Sequence, residues 1–316
     1  MSKINKSKIR HHYIPKFYLK GFTDADPDDP VGKLCVYSKN KKHYSEVLCG
    51  VSPDAIAFEK HGYTVRLPDG TMDSETVENI FAEKESKTAP LLKKIISGQK
   101  LTKSEFSTFV SDFLAIMAIR TPTTRNTIKP IAIAISRELA LKAENKDSFR
   151  EYINNCVNDG CNIKLNEENM ETERLKYIGI NERYAVMDSQ GALMLSLSIH
   201  ENINEGLQKA HWQVIGPVKE YKFLTSDNPF ISYGKNTNER TFLMPLSKEY
   251  CILGSPSPNF KRKDFTKKAN QIVKEINSII VKFAGRNIYC HFKAQSIYDL
   301  VKKYKDFTHG ISELKE

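Results

Sequence analysis

The sequence predicts an α+β fold: a mixed, largely antiparallel sheet built from N- and C-terminal strands, with a large helical middle segment. Short segments of alternating apolar and polar residues, typical of strands, occur near the N-terminus and again after Trp212. Between them, apolar residues recur at helical spacing. The chain has 316 residues, 40% of them hydrophobic, and is long enough to bury a sizeable core. We therefore expect a basic flexible arm over 1–10 and one domain over 11–316, with a helical insert at about 73–210.

The N-terminal elements are expected to be short. Pro15 favours a helix start, because the N–H that proline lacks is not needed in the first helical turn. Alternating residues over 33–38 and 43–48, around a lysine-rich turn, predict a β-hairpin. A further strand is expected over 62–67, where a Pro-Asp-Gly turn follows.

The middle of the chain is predicted to be helical. Ser74 is the expected N-cap of a helix that ends at Gly98, and Thr102 is expected to cap the next helix. This second helix should end at Arg120, because Thr121-Pro122 disfavours its continuation. Further helices are expected over 127–145, 148–157, 166–180 and 188–209.

The C-terminal third is predicted to return to strands, which turn signals separate. These strands are expected at Trp212–Gly216, Tyr221–Thr225, Phe230–Tyr233, Thr241–Pro245 and Tyr250–Gly254. A helix over about 266–283, a strand at Asn287–His291 and a last helix from Ala294 are expected to complete the chain.

The charge of the chain favours polyanionic partners. The formal net charge is +10 and the pI is about 9.1. A positive field attracts nucleic acid, nucleotides or phosphorylated ligands, although a merely lysine-rich surface has the same composition. Nucleic acid or a nucleotide is therefore the expected partner class.

No segment of the sequence predicts membrane insertion or export. The longest apolar stretches, such as Phe113–Ile119, are far shorter than the roughly 20 residues that cross a bilayer. No apolar segment follows the basic N-terminus, so we expect no signal peptide, no membrane partner and a cytoplasmic location. Six cysteines without a CxxC pair are then expected to be free thiols rather than zinc ligands.

His11 and His12 are the first candidates for chemistry. Imidazoles near the start of a short helix can act as bases or metal ligands near neutral pH. Adjacent residues point in different directions, so one histidine is expected to enter a site. We expect His12 to be the general base or metal ligand and His11 to contact substrate. Histidines in a basic segment are also common surface residues.

A polar strand end, Thr225-Ser226-Asp227-Asn228 before Pro229, is the second candidate. It can present four polar side chains to a substrate, although Asp and Asn before Pro also suit a plain turn. Asp227 is the expected metal ligand or histidine partner, and Ser226 the expected nucleophile or phosphate contact. Thr225 and Asn228 are expected to bind substrate.

Two arginines and a glutamate complete the candidate set. Arg120 and Arg125 can clamp a phosphate with paired hydrogen bonds, although an arginine at a helix C-terminus also satisfies carbonyl groups. Glu85 lies on the first long predicted helix. It is the expected third ligand, beside His12 and Asp227, of a hard divalent cation.

Together these motifs resemble those of a bacterial family catalogued as domain of unknown function 4238. The shared segments are HHYIPKFYLKGF at 11–22, RTP-x-x-R at 120–125, TSDNP at 225–229, PLS at 245–247, Asn277 and Gly285-Arg286. The similarity spans residues 11 to about 291. It implies that certain residues belong to family motifs, namely His12, Pro15, Arg120, Ser226, Asp227 and Asn228. Motif residues far apart in sequence usually share a site, but the resemblance implies no particular activity.

The preferred hypothesis is a hydrolase of phosphodiester or phosphorylated substrates, in its sharpest form a metal-dependent nuclease of toxin or phage-defence type. His12, Asp227 and Glu85 would hold Mg²⁺ or Mn²⁺, and Arg120 would neutralise the phosphate. One alternative is a nucleotide- or nucleic-acid-binding module without turnover. Another is a metal-free hydrolase or transferase with Ser226 as nucleophile and His12 as base. The sequence lacks P-loop, GxGxxG, HExxH and GxSxG motifs, which disfavours kinases, dinucleotide dehydrogenases and zincins.

Overall fold

The structure is a computed structural model that describes residues 10–25, 31–40, 46–67, 71–158, 167–177, 184–234, 239–260 and 265–307. Its strands are β1 (Arg10–His12), β2 (Leu34–Ser38), β3 (Val47–Val51), β4 (Phe58–Lys60), β5 (Val65–Arg66), β6 (Met72–Asp73), β7 (His211–Ile215), β8 (Thr225–Ser226), β9 (Ile231–Tyr233), β10 (Thr241–Pro245), β11 (Cys251–Ser255) and β12 (Asn287–Cys290). Strands and helices occupy different parts of the sequence, so the predicted α+β class is confirmed.

The helices begin at Lys16 and dominate the middle of the chain. They are α1 (Lys16–Leu19), α2 (Thr76–Ile96), α3 (Lys103–Phe109), α4 (Ala115–Ile119), α5 (Pro122–Ala143), α6 (Lys146–Asn158), α7 (Glu167–Tyr177), α8 (Tyr184–Ser198), α9 (His200–Gln208), α10 (Phe265–Phe283) and α11 (Gln295–Tyr304). A π-helical segment, Val110–Leu114, joins α3 to α4. No helix among the described residues is long and apolar enough to span a bilayer.

Two four-stranded sheets and two ribbons contain the described strands. One sheet has the order β3-β2-β12-β8 and the other the order β7-β11-β10-β9; β1 pairs with β4, and β5 with β6. Every pairing is antiparallel. The first sheet joins N- and C-terminal strands, as the sequence predicts, while the later strands form a sheet of their own. This arrangement sets β8 and its polar end beside β12.

A large hydrophobic core cluster forms around α10. One apolar face of this helix, with Val273, Ile276 and Ile280, packs with buried residues from β2 and β12 and from β9, β10 and β11. Burial of such a continuous apolar face contributes most of the folding free energy. The ends of α10 and β12 are therefore held firmly beside the polar end of β8.

The chain divides into two compact units, residues 1–124 with 197–316, and residues 125–196. The first unit contains every described strand together with α1 to α4, α9, α10 and α11. The second is helical and has a small core around Phe149 and Ile153. The predicted division into an arm and one domain with an insert stays a prediction, and residues 1–9 of the arm lie outside the described residues.

Helix ends follow the sequence signals in part. Thr102 caps α3 through a capping box with Glu105, as predicted. At α2 the predicted N-cap, Ser74, is corrected: the helix starts at Thr76, and the Asp73 carboxylate accepts the N–H groups of Glu75 and Thr76 at 2.9 and 3.0 Å. Helix α5 starts at 122 rather than 127, because proline is suited to a first helical position.

Cys35 and Cys49 form a disulfide, which corrects the expectation of free thiols. Their Cα atoms lie 4.0 Å apart on the neighbouring strands β2 and β3. The sequence contains no spacing motif for this pair, because the pairing of the two strands brings the cysteines together. Cys156, Cys251 and Cys290 are thiols outside any disulfide, and Cys161 lies outside the described residues.

Candidate functional site

The ribbon of β1 and β4 separates the two adjacent histidines. His11 pairs with Glu59 and His12 with Phe58, and Tyr13 continues the pairing through its N–H, which donates to the Ala57 carbonyl at 2.9 Å. Neighbouring residues of a strand point to opposite faces, and paired residues to the same face. His11 and Glu59 therefore share one face of the ribbon, and His12 lies on the other.

His11 is buried, with 1% of its surface exposed, and its ring orientation is fixed. Its Nδ1 accepts the Tyr63 N–H at 2.8 Å, and the two rings stack with centroids 5.5 Å apart. Because Nδ1 accepts a hydrogen bond, the ring proton is on Nε2. That Nε2 is buried and has no hydrogen-bond partner among the described residues.

His12 lies towards solvent. Its Nε2 is 3.4 Å from the Asp54 carbonyl oxygen, and the ring tilts against Phe58. Burial and the charge of Lys16 lower the pKa of His12. The hydrogen-bonded nitrogens, His11 Nδ1 and His12 Nε2, therefore both contact backbone groups. Neither of them contacts Ser226, the nucleophile that the sequence suggests.

Arg120 is a buried cross-link. Its guanidinium donates to Glu85 at 2.7 Å, to the His12 carbonyl at 2.7 Å and to the Tyr63 hydroxyl at 3.4 Å, and it lies 4.7 Å above the Phe81 ring. These contacts tie α2, the ribbon and the end of α4 together. They also occupy the donors that were predicted to clamp a phosphate. Arg125 belongs to the second unit, where its side chain is buried.

Among the residues of the strand end, Asp227 is the strongest candidate for a role in catalysis. Its Oδ1 accepts the Gly285 N–H at 2.9 Å and its Oδ2 the Arg286 N–H at 2.7 Å. Its own N–H donates to the Asn287 carbonyl at 3.0 Å. The residue is 5% exposed, and burial raises the pKa of its carboxyl to about 6 in spite of these hydrogen bonds.

The other three residues of the strand end are fixed by neighbouring motifs. Thr225 Oγ1 lies 2.7 Å from the Tyr18 hydroxyl, and Ser226 Oγ accepts the Asn228 N–H at 3.2 Å. The Asn228 side chain accepts from the Thr121 hydroxyl and donates to the Phe283 carbonyl. All three are buried. The motif segments at 11–22, 120–125 and 225–229 therefore meet in space.

Gly285 permits this close approach. A Cβ at this position would lie 2.5 Å from Thr123 Oγ1 and 3.2 Å from Asp227 Oδ2. Real Cβ atoms do not tolerate the shorter distance, so the turn after α10 requires glycine for steric reasons. The Gly-Arg pair of the resemblance therefore has a physical role beside Asp227.

The Tyr13 phenol and the four residues that interact with it are called here the Tyr13 cluster. Its members are Tyr13, Glu59, Asp227, Arg286 and Tyr289. The Tyr13 phenol interacts electrostatically with the other four, and burial followed by the charge of Asp227 raises its pKa. The Tyr289 hydroxyl is buried and interacts with the Tyr13 phenol and with Asn287. The Arg286 side chain is exposed, and none of the described residues pairs with its guanidinium.

A buried lysine lies behind the turn that Asp227 holds. Lys39 Nζ donates to the carbonyls of Ala284, Lys282 and Phe307 at 2.9, 3.0 and 3.3 Å. Burial lowers the pKa of Lys39 to about 8, and the charge of Asp227 opposes this shift. The lysine stabilises the end of α10, where helix carbonyls lack intrahelical partners.

The predicted metal ligands do not fit a cation in this arrangement. Glu85 is paired with Arg120, both Asp227 oxygens accept backbone N–H groups, and His12 lies on the outer face of the ribbon. Within the part of the chain that the structure describes, no group of three or more His, Cys, Asp or Glu side chains is arranged to hold a metal ion. The Mg²⁺ or Mn²⁺ cofactor stays a prediction for experiment.

Sequence reasoning gave no role to several residues of the site. Tyr13 and Arg286 both lie within motifs of the family resemblance, but the sequence suggests no role for either side chain. Lys39 and Tyr289 carry no sequence signal, because their importance comes from burial and from strand pairing.

Comparison with known families confirms the resemblance. A model of the family described as protein of unknown function, DUF4238, matches residues 10–294. This range includes all the residues of the Tyr13 cluster. No curated protein and no solved structure matches the chain.

Proposed function

The chain belongs to the DUF4238 family, and we propose that it is a hydrolase of phosphodiester or phosphorylated substrates that uses Asp227 for proton transfer. One observation carries this proposal: the motif segments meet at a buried carboxyl group whose pKa is raised to about 6. A carboxyl that titrates near neutral pH can accept and return a proton during a reaction. Buried carboxyl groups with shifted pKa values are concentrated at active sites.

The hydrogen bonds of Asp227 suit a proton-transfer role. One backbone N–H, from Gly285 or Arg286, fixes each carboxylate oxygen and leaves lone pairs for a further partner. Above pH about 6 the carboxylate would accept a proton from the attacking water. Its orientation is fixed by the backbone before substrate binds, which lowers the cost of positioning.

The substrate class is inferred from charge. The chain carries a net charge of +10, and the exposed Arg286 guanidinium, which pairs with none of the described residues, lies near the Tyr13 phenol. A guanidinium of this kind pairs with phosphate oxygens. Nucleic acid is therefore the first substrate to test. In its most specific form, the proposal is a nuclease of toxin or phage-defence type.

Purified protein, incubated with RNA, single-stranded DNA, duplex DNA and bis(p-nitrophenyl) phosphate, tests this function. Each reaction is run with EDTA and with added Mn²⁺, so that the predicted metal is tested in the same experiment. Asp227→Asn keeps the shape and one acceptor but cannot take up the proton. We expect it to slow cleavage by about 100-fold or more. Asp299→Asn, on the exposed face of α11, is the matched control and should cleave like the parent protein.

The alternatives give different results in this assay. A binding module would retain nucleic acid with an affinity that falls steeply with salt, and would yield no product with or without Mn²⁺. A serine hydrolase would lose activity in Ser226→Ala and keep it in Asp227→Asn. Either result would overturn the role proposed for Asp227.

A further inference from the structure

We propose that Lys39 is a positioning residue for Asp227, because its ammonium group acts on the Asp227 carboxylate through the Ala284–Gly285 peptide group. The part that Lys39 plays in a reaction rests on the proposed function. Its effect on the carboxyl group does not, because that effect is measured without substrate.

The link between the two side chains is one peptide group. Lys39 Nζ donates to the Ala284 carbonyl at 2.9 Å, and the Gly285 N–H of the same peptide group donates to Asp227 Oδ1 at 2.9 Å. A peptide bond has partial double-bond character, so a cation at its oxygen makes its N–H a stronger donor. The positive charge of Lys39 therefore strengthens a hydrogen bond that holds the carboxylate.

The backbone of Lys39 holds the same turn from its other end. Its N–H donates to the Arg286 carbonyl at 2.7 Å, and the Arg286 N–H donates to Asp227 Oδ2 at 2.7 Å. The two N–H groups that orient the carboxylate thus lie between two carbonyls that Lys39 binds. Lys39 therefore helps to fix the orientation of the Asp227 carboxylate.

Lys39 carries its charge in a buried position. The residue is 4% exposed, and its three ammonium hydrogens match the three carbonyls that Nζ contacts, those of Lys282, Ala284 and Phe307. The Lys282 ammonium lies over the Phe307 ring, 4.4 Å from the centroid. Burial of an ammonium ion is unfavourable, so a charge at this position indicates a role that an uncharged donor would not fill.

The charges of Lys39 and Asp227 stabilise each other. The charge of Asp227 opposes the burial that lowers the pKa of Lys39 to about 8, and the charge of Lys39 opposes the burial that raises the pKa of Asp227 to about 6. Between these two values both groups are ionised. Without the lysine, burial would raise the pKa of the carboxyl further. Lys39 therefore keeps Asp227 in the form that accepts a proton at neutral pH.

The other groups near Asp227 do not obscure its titration. Tyr13 and Tyr289 interact with its charge, and burial raises the pKa of both phenols far above neutral pH. Arg286 and Glu59 interact with the Tyr13 phenol. The arginine stays charged at every pH of interest, and an isotope label confined to aspartate gives no signal from Glu59.

NMR spectroscopy of protein that is isotope-labelled at the aspartate carboxyl carbons measures the pKa of Asp227 without substrate. The Asp227 signal is the one that is missing in Asp227→Asn. Lys39→Met has a side chain of similar length without the charge or the donor, and we expect it to raise the pKa of Asp227 by about one pH unit. Lys39→Gln keeps a donor without the charge and should shift the pKa in the same direction.

The matched control is Lys248→Met. Lys248 Nζ also donates to a backbone carbonyl, that of Thr23 at 3.0 Å, but not to the turn that holds Asp227. This variant should leave the pKa of Asp227 at the parental value.

Cleavage provides a second readout. If Asp227 is the general base, the pH at which the rate rises should move upward by about one unit in both Lys39 variants. A merely structural lysine would lower the rate or the stability at every pH and would leave both midpoints at the parental value.

The outcomes separate this proposal from the proposed function. An unchanged titration of Asp227 in the folded Lys39 variants would overturn the positioning role, even if nucleic acid is cleaved. A shift in Lys39→Met that Lys39→Gln lacks would assign the effect to the donor instead of the charge, and would overturn it too. A shift in both variants without cleavage of any substrate supports the link and overturns the hydrolase. Thermal unfolding of each variant verifies folding, and Lys39→Gln alone decides the test if Lys39→Met does not fold.

Discussion

At the scale of single residues, Asp227 combines two opposing effects. Two backbone N–H groups stabilise its carboxylate, and burial destabilises it more strongly, so its pKa is raised from 3.8 to about 6. The folded state therefore binds the proton more tightly than the unfolded chain does. This contribution to stability is complete below pH 3.8 and is lost as the pH rises through about 6.

Asp227→Asn is predicted to change stability in a pH-dependent way. The stability advantage of the parent protein over the variant should shrink by about 3 kcal/mol as the pH rises through this window, because one pKa unit corresponds to 1.36 kcal/mol. Urea unfolding of both proteins at several pH values measures this difference. A difference that is the same at every pH would show that Asp227 has its ordinary pKa.

Gly285→Ala is predicted to destabilise the protein through a steric clash. The new Cβ would lie 2.5 Å from Thr123 Oγ1, and a β-branched side chain has little freedom to turn away. We expect a loss of about 1–3 kcal/mol in the free energy of unfolding. Gly206→Ala in α9 is the matched control: nothing lies within 4 Å of its Cβ, and the variant should gain up to about 1 kcal/mol. Equal effects at the two glycines would contradict the close packing beside Asp227.

At the scale of elements, short strands and their partners determine which groups meet. The β1–β4 ribbon turns His11 inward and His12 outward, and β12 holds Tyr289 beside the end of β8. The ribbon was not predicted, because β1 and β4 have three residues each and no alternating apolar pattern. Local sequence rules do not detect the pairing of residues as far apart as Arg10 and Lys60.

The disulfide between β2 and β3 is predicted to raise the free energy of unfolding. It closes a loop with a sequence separation of 14 and fastens β3, an edge strand, to the sheet. Cys49→Ser should therefore lower the free energy of unfolding by about 3 kcal/mol. Reduction of the parent protein should cause the same loss, and reduction of Cys49→Ser no further loss. Cys156→Ser is the control, and a parent protein insensitive to reduction would contradict the cross-link.

At the scale of the whole molecule, the sequence predicted the architecture better than the site. Apolar periodicity predicted the α+β class, the long helices and the sheet that joins both ends of the chain, and the family resemblance is confirmed. The sequence does not show which of His11 and His12 is buried, because burial depends on a ribbon partner far along the chain. The sequence does not predict the ion pair of Arg120 with Glu85 either. It instead suggests phosphate binding for Arg120 and metal binding for Glu85.

The fold brings segments that are distant in sequence together at the site. Segments near 11–22, 120–125, 225–229 and 283–287 are dispersed in sequence and converge on one carboxyl group. The segment at 245–247 joins them through Tyr18, whose hydroxyl donates to the Pro245 carbonyl. Several of these contacts stabilise the fold, and the carboxyl group that they hold has a pKa raised to about 6.

The most direct test of the central claim is the pH dependence of phosphodiester cleavage by the parent protein and by Asp227→Asn. We predict that the parent rate rises with pH through about 6, following ionisation of Asp227. The variant should be slower by about 100-fold or more and should show no such rise. Cleavage by Asp227→Asn at the parental rate and with the parental pH profile would contradict the account.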